Sequence, residues 1–93
     1  MSVWYSNNSD LRVFLAYISD LKEDKGLSDY RILVDAKMSK TYIYNCKRYL
    51  KGLEMFKPKI SLNLIIHIAQ VHNFPFDLSK YLHVLEDKQE PII

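Results

Sequence analysis

The stretch from Leu27 to Arg48, LSDYRILVDAKMSKTYIYNCKR, decides how this chain folds. Its apolar residues keep a helical spacing on each side of Lys37, which favours two short helices joined by a tight turn. These apolar residues are Ile32, Leu33, Ala36, Met38, Ile43 and Cys46. Ser28 and Ser39 can each accept hydrogen bonds from the unpaired amides of the helix that follows. We therefore expect a helix-turn-helix unit in which a serine caps the start of each helix.

The second helix of this unit is expected at residues 40–49. Successive residues of a helix are rotated by about 100°, so its side chains divide into an apolar and a polar face. The apolar face carries Ile43, Cys46 and Leu50. The polar face carries Thr41, Tyr44, Asn45 and Arg48. The polar face is therefore predicted to point outward, where it can reach a groove or a partner.

Composition favours a single all-α domain. Of the 93 residues, 48% are hydrophobic, which is enough for one modest core because a small chain leaves much of its surface in water. The chain has two glycines and three prolines, and it lacks alternating apolar runs, repeats and low-complexity segments. We expect a domain of five helices at residues 10–85, with a lead-in at residues 1–9 and an acidic, frayed tail at residues 86–93.

Capping residues place the helices outside the central stretch. The first helix is expected at residues 10–25, capped by Asn8 or Ser9 and stopped by Gly26, which readily adopts the left-handed conformation of a helix end. Gly52 is expected to be the pivot of the loop that follows the second motif helix.

Two more helices are expected after this loop. Ser61 can cap a strongly apolar helix, and Asn73 can end it because asparagine is the second choice after glycine for a left-handed cap. Asp77 can cap a last helix that runs through about Leu85.

Basic residues are concentrated around the second motif helix. Between Lys37 and Lys59 the chain has seven basic residues and one acid, Glu54, whereas the remainder has six basic and ten acidic residues. A cluster of cations favours a phosphate backbone through the release of counterions. The alternative is a solvated face that only keeps the protein soluble.

These features together resemble the helix-turn-helix of the phage repressor and Cro family, also called the XRE family, whose usual sequence is close to LSQEELAEKAGVSRSYISRIERG. The resemblance covers about residues 11–82. It rests on a helix stop, two capping serines, a Tyr-Ile pair and a later Pro, Ser-Leu and Ile-Ala series at family spacing. In this sequence these are Gly26, Ser28, Ser39, Tyr42–Ile43, Pro58, Ser61–Leu62 and Ile68–Ala69.

The resemblance implies a five-helix, lambda-repressor-like domain that holds double-stranded DNA with the second motif helix in the major groove. Side chains of the polar face would then contact base edges, and the neighbouring cations would hold phosphates. The implied DNA-binding residues are Ser39, Lys40, Thr41, Tyr44, Asn45, Arg48, Lys51, Lys57 and Lys59. Tyr42 and Tyr49 are expected to pack against the core or its rim.

Several positions depart from the family pattern. Lys37 stands where the family has a glycine, so it must adopt a positive φ or the turn must take another shape. Asp29 replaces a glutamine that meets the DNA backbone, and a carboxylate is repelled by phosphate unless it only caps the helix. Lys22 and Lys47 occupy the places of a paired arginine and glutamate, so we expect that ion pair to be lost.

Family members usually dimerise to read two half-sites, so the resemblance implies a homodimer. The last helix offers a stripe of Leu78, Leu82 and Leu85 as the candidate dimer interface. The alternative is that this stripe only closes the core.

No pattern for catalysis, a metal or a cofactor is found in the sequence. Its three histidines lack a partner at metal-ligand spacing, and no glycine-rich phosphate loop or nucleophile elbow occurs. Cys46 is expected to be a small buried residue. No apolar run approaches the roughly 18 residues of a membrane span, and the first residues lack a signal pattern, so we expect a cytoplasmic protein.

Two functions are compatible with the sequence. The first is a small, sequence-specific transcription regulator that binds double-stranded DNA. The second is a protein-interaction module, such as an antirepressor or an inhibitor of a nucleic-acid-acting protein, built on the same scaffold. The basic window favours the first function. The second is favoured by Lys37, by Asp29 and by Leu33, which stands where the family has a small alanine at the crossing of the two helices.

Overall fold

Five α-helices follow one another in the computed structural model, which describes residues 8–86 and their side chains up to residue 84. They are α1 (Ser9–Lys25), α2 (Asp29–Asp35), α3 (Tyr42–Leu50), α4 (Leu62–His72) and α5 (Leu82–Glu86). No strand occurs between residues 8 and 86, so the all-α prediction with five helices is confirmed. Most of the predicted lead-in, residues 1–7, and the tail from residue 87 lie outside the described residues.

α1 supplies the centre of the core, since its apolar residues recur at three and four positions. Its buried side chains include Leu11, Phe14, Tyr17, Ile18 and Leu21. α3 and α5 pack against α1, and α4 packs against α2, giving a globule with a radius of gyration of 13.1 Å. No helix in the described part of the chain is long and apolar enough to span a lipid bilayer.

A residue with left-handed backbone follows each of the first four helices. Gly26 (φ 67°), Lys37 (φ 59°), Gly52 (φ 78°) and Asn73 (φ 54°) hold these positions. The expected roles of Gly26, Gly52 and Asn73 are therefore confirmed, and Lys37 does adopt the positive φ that its site requires.

The turn between α2 and α3 is a Schellman motif centred on Lys37. The amide of Met38 donates to the carbonyl oxygen of Leu33 at 2.9 Å, and the amide of Lys37 donates to that of Val34 at 2.9 Å. These bonds satisfy carbonyl groups that the end of α2 would otherwise leave unpaired. The turn therefore holds its shape without glycine, at a conformational cost of about 1 kcal/mol for lysine.

The expected serine caps of α2 and α4 are confirmed. Ser28 Oγ accepts a hydrogen bond from the amide of Arg31 at 3.1 Å, and Ser61 Oγ accepts one from the amide of Leu64 at 3.1 Å. Asn8, one of the two expected caps of the first helix, does not cap it. Asn8 precedes α1 with left-handed backbone, and its side chain makes no cap hydrogen bond.

The predicted start of the second motif helix was two residues too early. α3 begins at Tyr42 rather than Lys40, and Thr41 stands at its cap position without a side-chain cap. Ser39 Oγ instead accepts from the amide of Thr41 at 3.4 Å, while the Ser39 carbonyl accepts from the amide of Tyr42 at 3.1 Å. Ser39 therefore closes a short turn ahead of α3 instead of capping the helix itself.

The last helix also begins later than expected. Asp77 does accept a cap bond from the amide of Ser79, but the segment it starts, Leu78–Tyr81, is a 3₁₀ turn that precedes α5. Tyr81 is buried there, and its hydroxyl donates to Asp20 of α1 at 2.6 Å, so this turn is tied to the core.

Replacement of Lys37 by glycine should stabilise the fold. Glycine adopts φ near 59° without the steric cost that lysine pays, so the free energy of unfolding should rise by about 0.5–1 kcal/mol. Urea denaturation measures this change. The Lys37→Ala variant loses the same charge but keeps the strain, and an equal gain in both variants would contradict the explanation.

Alkaline pH should destabilise the protein partly through Cys46. Burial, assisted by the Asp10 carboxylate, raises the pKa of the Cys46 thiol to about 12. The thiol of the unfolded chain ionises above about pH 8.5, so the stability from this group is complete below that pH and is lost as pH rises toward 12, by about 1.4 kcal/mol per pH unit. Between about pH 8 and pH 10 the wild type should therefore lose about 2 kcal/mol more than Cys46→Ala in urea titrations. Equal losses in the two proteins would show that Cys46 is not responsible.

Candidate nucleic-acid interface

The outer face of α3 is polar and connected by hydrogen bonds. Thr41 and Tyr44 are exposed, with 60% of Tyr44 accessible, and Asn45 is half-buried. Ser39 Oγ lies 3.1 Å from Thr41 Oγ1, and the Asn45 amide nitrogen donates to Thr41 Oγ1 at 3.4 Å. The side chains of Ser39, Thr41 and Asn45 therefore form one short polar row at the start of α3.

The inner face of α3 is the apolar one, as its spacing predicts. Ile43 and Cys46 are buried, and Tyr42, Tyr49 and Leu50 pack against the core as half-buried residues. The expectation that Tyr42 and Tyr49 are packing residues is confirmed.

Arg48 is held in place on the outer side of α3. Its Nε donates to Glu54 at 2.8 Å, its Nη2 donates to the carbonyl oxygen of Leu53 at 2.9 Å, and its guanidinium lies 5.6 Å from the centre of the Tyr44 ring. The bond to Glu54 raises the pKa of Arg48, and contact with Tyr44 acts in the same direction. A nucleic acid that used Arg48 would have to share its guanidinium with Glu54.

The loop from residue 51 to residue 61 is attached to the domain at two further points. Lys57 Nζ lies 3.1 Å from Oδ1 of Asp10, a carboxylate of α1 that is only 1% exposed. The hydroxyl of Tyr42 donates to the carbonyl oxygen of Lys59. Lys57, expected to hold DNA phosphates, is thus first of all the partner of a buried acid.

Ion pairs divide the seven basic residues of this region into two groups. Lys47, Arg48 and Lys57 have carboxylate partners in Asp29, Glu54 and Asp10. The other four form no ion pair with a residue of the described chain: Lys37, Lys40, Lys51 and Lys59. These four unpaired lysines are the cations most readily available to an anionic partner.

Asp29 links three helices by charge. Its carboxylate lies 2.9 Å from Lys22 Nζ of α1 and 3.8 Å from Lys47 Nζ of α3. Lys22 and Lys47 are expected from the sequence to lack an ion pair with each other, and Asp29 compensates the charge of both. The acid at the start of α2 is therefore neutralised locally, which removes much of its expected repulsion of phosphate.

Two histidines of α4 fasten it to α2. His67 Nε2 lies 2.9 Å from the carbonyl oxygen of Ala36, and His72 Nε2 lies 3.0 Å from that of Ile32. A carbonyl oxygen only accepts hydrogen bonds, so each Nε2 carries the proton. Within the described residues no group of three histidine, cysteine or carboxylate side chains could hold a metal ion.

The residues of the candidate dimer stripe differ in how far they are exposed. Leu78 is half-buried against the core, whereas 47% of Leu82 is exposed. The side chain of Leu85 lies outside the described side chains. The interface therefore stays a prediction, in which Leu82 is the member that a second copy could contact.

The sequence analysis missed an apolar surface next to α3. Leu53, Met55 and Phe56 are exposed, with 83% of Met55 and 81% of Phe56 accessible. Phe56 also lines a cleft of 340 Å³ together with Tyr42, Asn45 and Glu54. The sequence does contain a signal for this surface, because Met55 and Phe56 are adjacent large apolar residues in a loop.

Comparison with protein families, curated proteins and solved structures finds none that is significantly similar to this chain.

Removal of the Lys57 charge should destabilise the domain by leaving Asp10 without its cation. We expect Lys57→Gln to lower the free energy of unfolding by about 2 kcal/mol, less than for a fully buried pair because the Lys57 side chain is 29% exposed. Adding Asp10→Asn should recover much of the loss, which a double-mutant cycle in urea measures.

The matched control is Lys59→Gln. It removes an exposed lysine that has no ion pair among the described residues, so its effect should stay within about 0.5 kcal/mol. A cycle without coupling between residues 10 and 57 would contradict the assignment.

Proposed function

We propose that this protein is a sequence-specific, double-stranded DNA-binding transcription regulator of the phage repressor and Cro type. In this proposal the five helices form a lambda-repressor-like domain, α2 and α3 form its helix-turn-helix, and α3 lies in the major groove.

One observation carries the proposal: α3 has a polar row in which Ser39 and Thr41 are exposed, and a lysine without an ion pair in the described chain stands at each end of the helix. Lys40 precedes the helix and Lys51 follows it, and neither has an acidic partner among the described residues. Nine helical residues span about 14 Å at 1.5 Å per residue, similar to the major-groove width of about 12 Å. A helix of this length can place its polar row on base edges while the lysines at its ends reach phosphates.

The side chains then take distinct roles. Asn45 can bind adenine through two hydrogen bonds, and Thr41 or Tyr44 can contact a thymine methyl group. Lys37, Ser39, Lys40, Lys51 and Lys59 hold the phosphate backbone. Lys57 acts indirectly by fixing the loop, and Arg48 contributes to the extent that Glu54 releases it.

A protein-interaction module is the second candidate function, and the exposed loop after α3 favours it. Met55 and Phe56 place apolar surface beside α3, and the Arg48–Glu54 pair introduces a carboxylate there. Protein interfaces are enriched in aromatic residues, methionine and arginine. As an antirepressor or an inhibitor of a nucleic-acid-acting protein, the chain would bind its protein partner through this surface instead of binding DNA.

Salt-dependent binding to a duplex of mixed sequence separates these functions. The wild type should bind with an affinity that falls steeply as salt increases, because each neutralised phosphate releases a counterion. The Lys40→Ala, Lys51→Ala double variant should lower the slope of log affinity against log salt by about 2, in proportion to two lost phosphate contacts. Fluorescence anisotropy of a labelled duplex measures both quantities.

The control is the Lys25→Ala, Lys80→Ala double variant, which removes the same charge from the end of α1 and the turn before α5. Its slope should match the wild type. Equal slopes in all three proteins, or no duplex binding by the wild type, would reject the proposed DNA interface. Selection of bound fragments from a random DNA pool would then identify the preferred sequence.

A further inference from the structure

Met55 and Phe56 form the tip of the loop between α3 and α4. Met55 is 83% and Phe56 81% exposed, the largest values among the exposed apolar residues of the described chain. Exposure of so much adjacent apolar surface is unfavourable in water, and such a surface usually marks a site of interaction. We refer to these two residues as the loop tip.

The loop tip is held out by contacts on both of its sides. Glu54, just before it, is bound to Arg48 of α3 at 2.8 Å. Lys57, just after it, lies 3.1 Å from the buried Asp10 of α1. These two ion pairs fix the backbone on each side of the tip, so the tip is presented on a supported base.

The loop tip lies between two lysines in the chain and shares a cleft with α3. Lys51 and Lys59 flank it in the chain, and neither has an ion-pair partner among the described residues. Phe56 shares a cleft with Asn45, which belongs to the polar face of α3. A ligand in contact with α3 can therefore also reach the tip.

We propose that the loop tip is an apolar wedge that enters a base step of the DNA held by α3 and kinks it. The inference rests on the proposed function. The Phe56 ring stacks on a base, the flexible thioether of Met55 fills the opened step, and Lys51 and Lys59 neutralise the phosphates on either side.

Charge complementarity favours DNA as the occupant, since the carboxylate beside the tip, Glu54, is already paired with Arg48. A purely apolar protein surface would meet the tip but would leave the charges of Lys51 and Lys59 facing it, at a cost in desolvation. Duplex DNA offers flat apolar base faces bordered by phosphates, which matches an apolar tip between two lysines. Pyrimidine–purine steps are the preferred targets because they unstack most easily.

Fluorescence of 2-aminopurine tests the wedge. The probe is a duplex of about 30 base pairs, or three helical turns, with 2-aminopurine in place of adenine at central TpA steps. Unstacking raises its fluorescence, so the wild type should increase the signal several-fold at saturation. Phe56→Ala should remove most of this increase and weaken binding about tenfold, and Met55→Ala should have a smaller effect in the same direction.

Ile66→Ala is the matched control, because Ile66 is an exposed apolar residue on α4. It should leave both the fluorescence and the affinity unchanged. Urea denaturation should show that Phe56→Ala, Met55→Ala and Ile66→Ala are all folded. Met55 and Phe56 contribute little buried surface, and Ile66 is 43% exposed.

Four results would overturn the wedge, and they differ in what else they reject. Duplex binding by the wild type without a rise in fluorescence, or with a rise that persists in Phe56→Ala, rejects the wedge alone. In another of these results, sedimentation shows a wild-type dimer that the Phe56→Ala substitution dissociates, while the 2-aminopurine signal is the same for both proteins. This result assigns the tip to contact between copies of the chain. Absence of duplex binding rejects the wedge together with the proposed function.

Discussion

The orientation of α3 depends on how the carbonyl groups at the end of α2 find hydrogen-bond donors. The amides of Lys37 and Met38 satisfy two of them through the left-handed turn. His67 of α4 donates to the carbonyl of Ala36, which lies immediately before the turn, and His72 donates to that of Ile32. A helix end buried without such partners would be unstable, so the turn and α4 together fix the direction in which the chain leaves α2. The exposed face of α3 follows from that direction.

Charge pairing gives the surface around α3 its character. The local basic cluster suggests a uniform phosphate-binding surface, but three of its seven members neutralise acids of the domain itself. Asp29 joins α1, α2 and α3 through two lysines, and Asp10 holds the loop after α3 through Lys57. The structure thus uses part of its positive charge for assembly. What remains for a partner is a set of separate lysines around a polar row.

The features that could be predicted from the sequence are those with local causes. Helical spacing located the five helices, and the stops at Gly26 and Asn73 follow from their tolerance of left-handed backbone. For Lys37 the sequence left two outcomes open, a positive φ or a turn of another shape, and the structure shows the first. The start of α3 was misplaced because the Ser39 hydroxyl can close a turn as well as cap a helix, and spacing does not distinguish these bonds. The tie between Asp10 and Lys57 joins residues far apart in sequence, so no local pattern could reveal it.

The small number of unpaired lysines also bears on how such a domain could bind DNA. Each phosphate contact contributes a similar, salt-dependent increment, so four available lysines would give a single copy only moderate affinity for DNA. Additional free energy must then come from base contacts of Asn45 and its neighbours, from a second copy that reads another half-site, or from apolar contacts such as stacking by Phe56. These sources have different consequences, because apolar contacts keep their strength as salt increases whereas phosphate contacts lose theirs. An apolar tip beside α3, flanked by the Arg48–Glu54 and Lys57–Asp10 ion pairs, would therefore give a domain of low charge the salt-resistant part of its affinity.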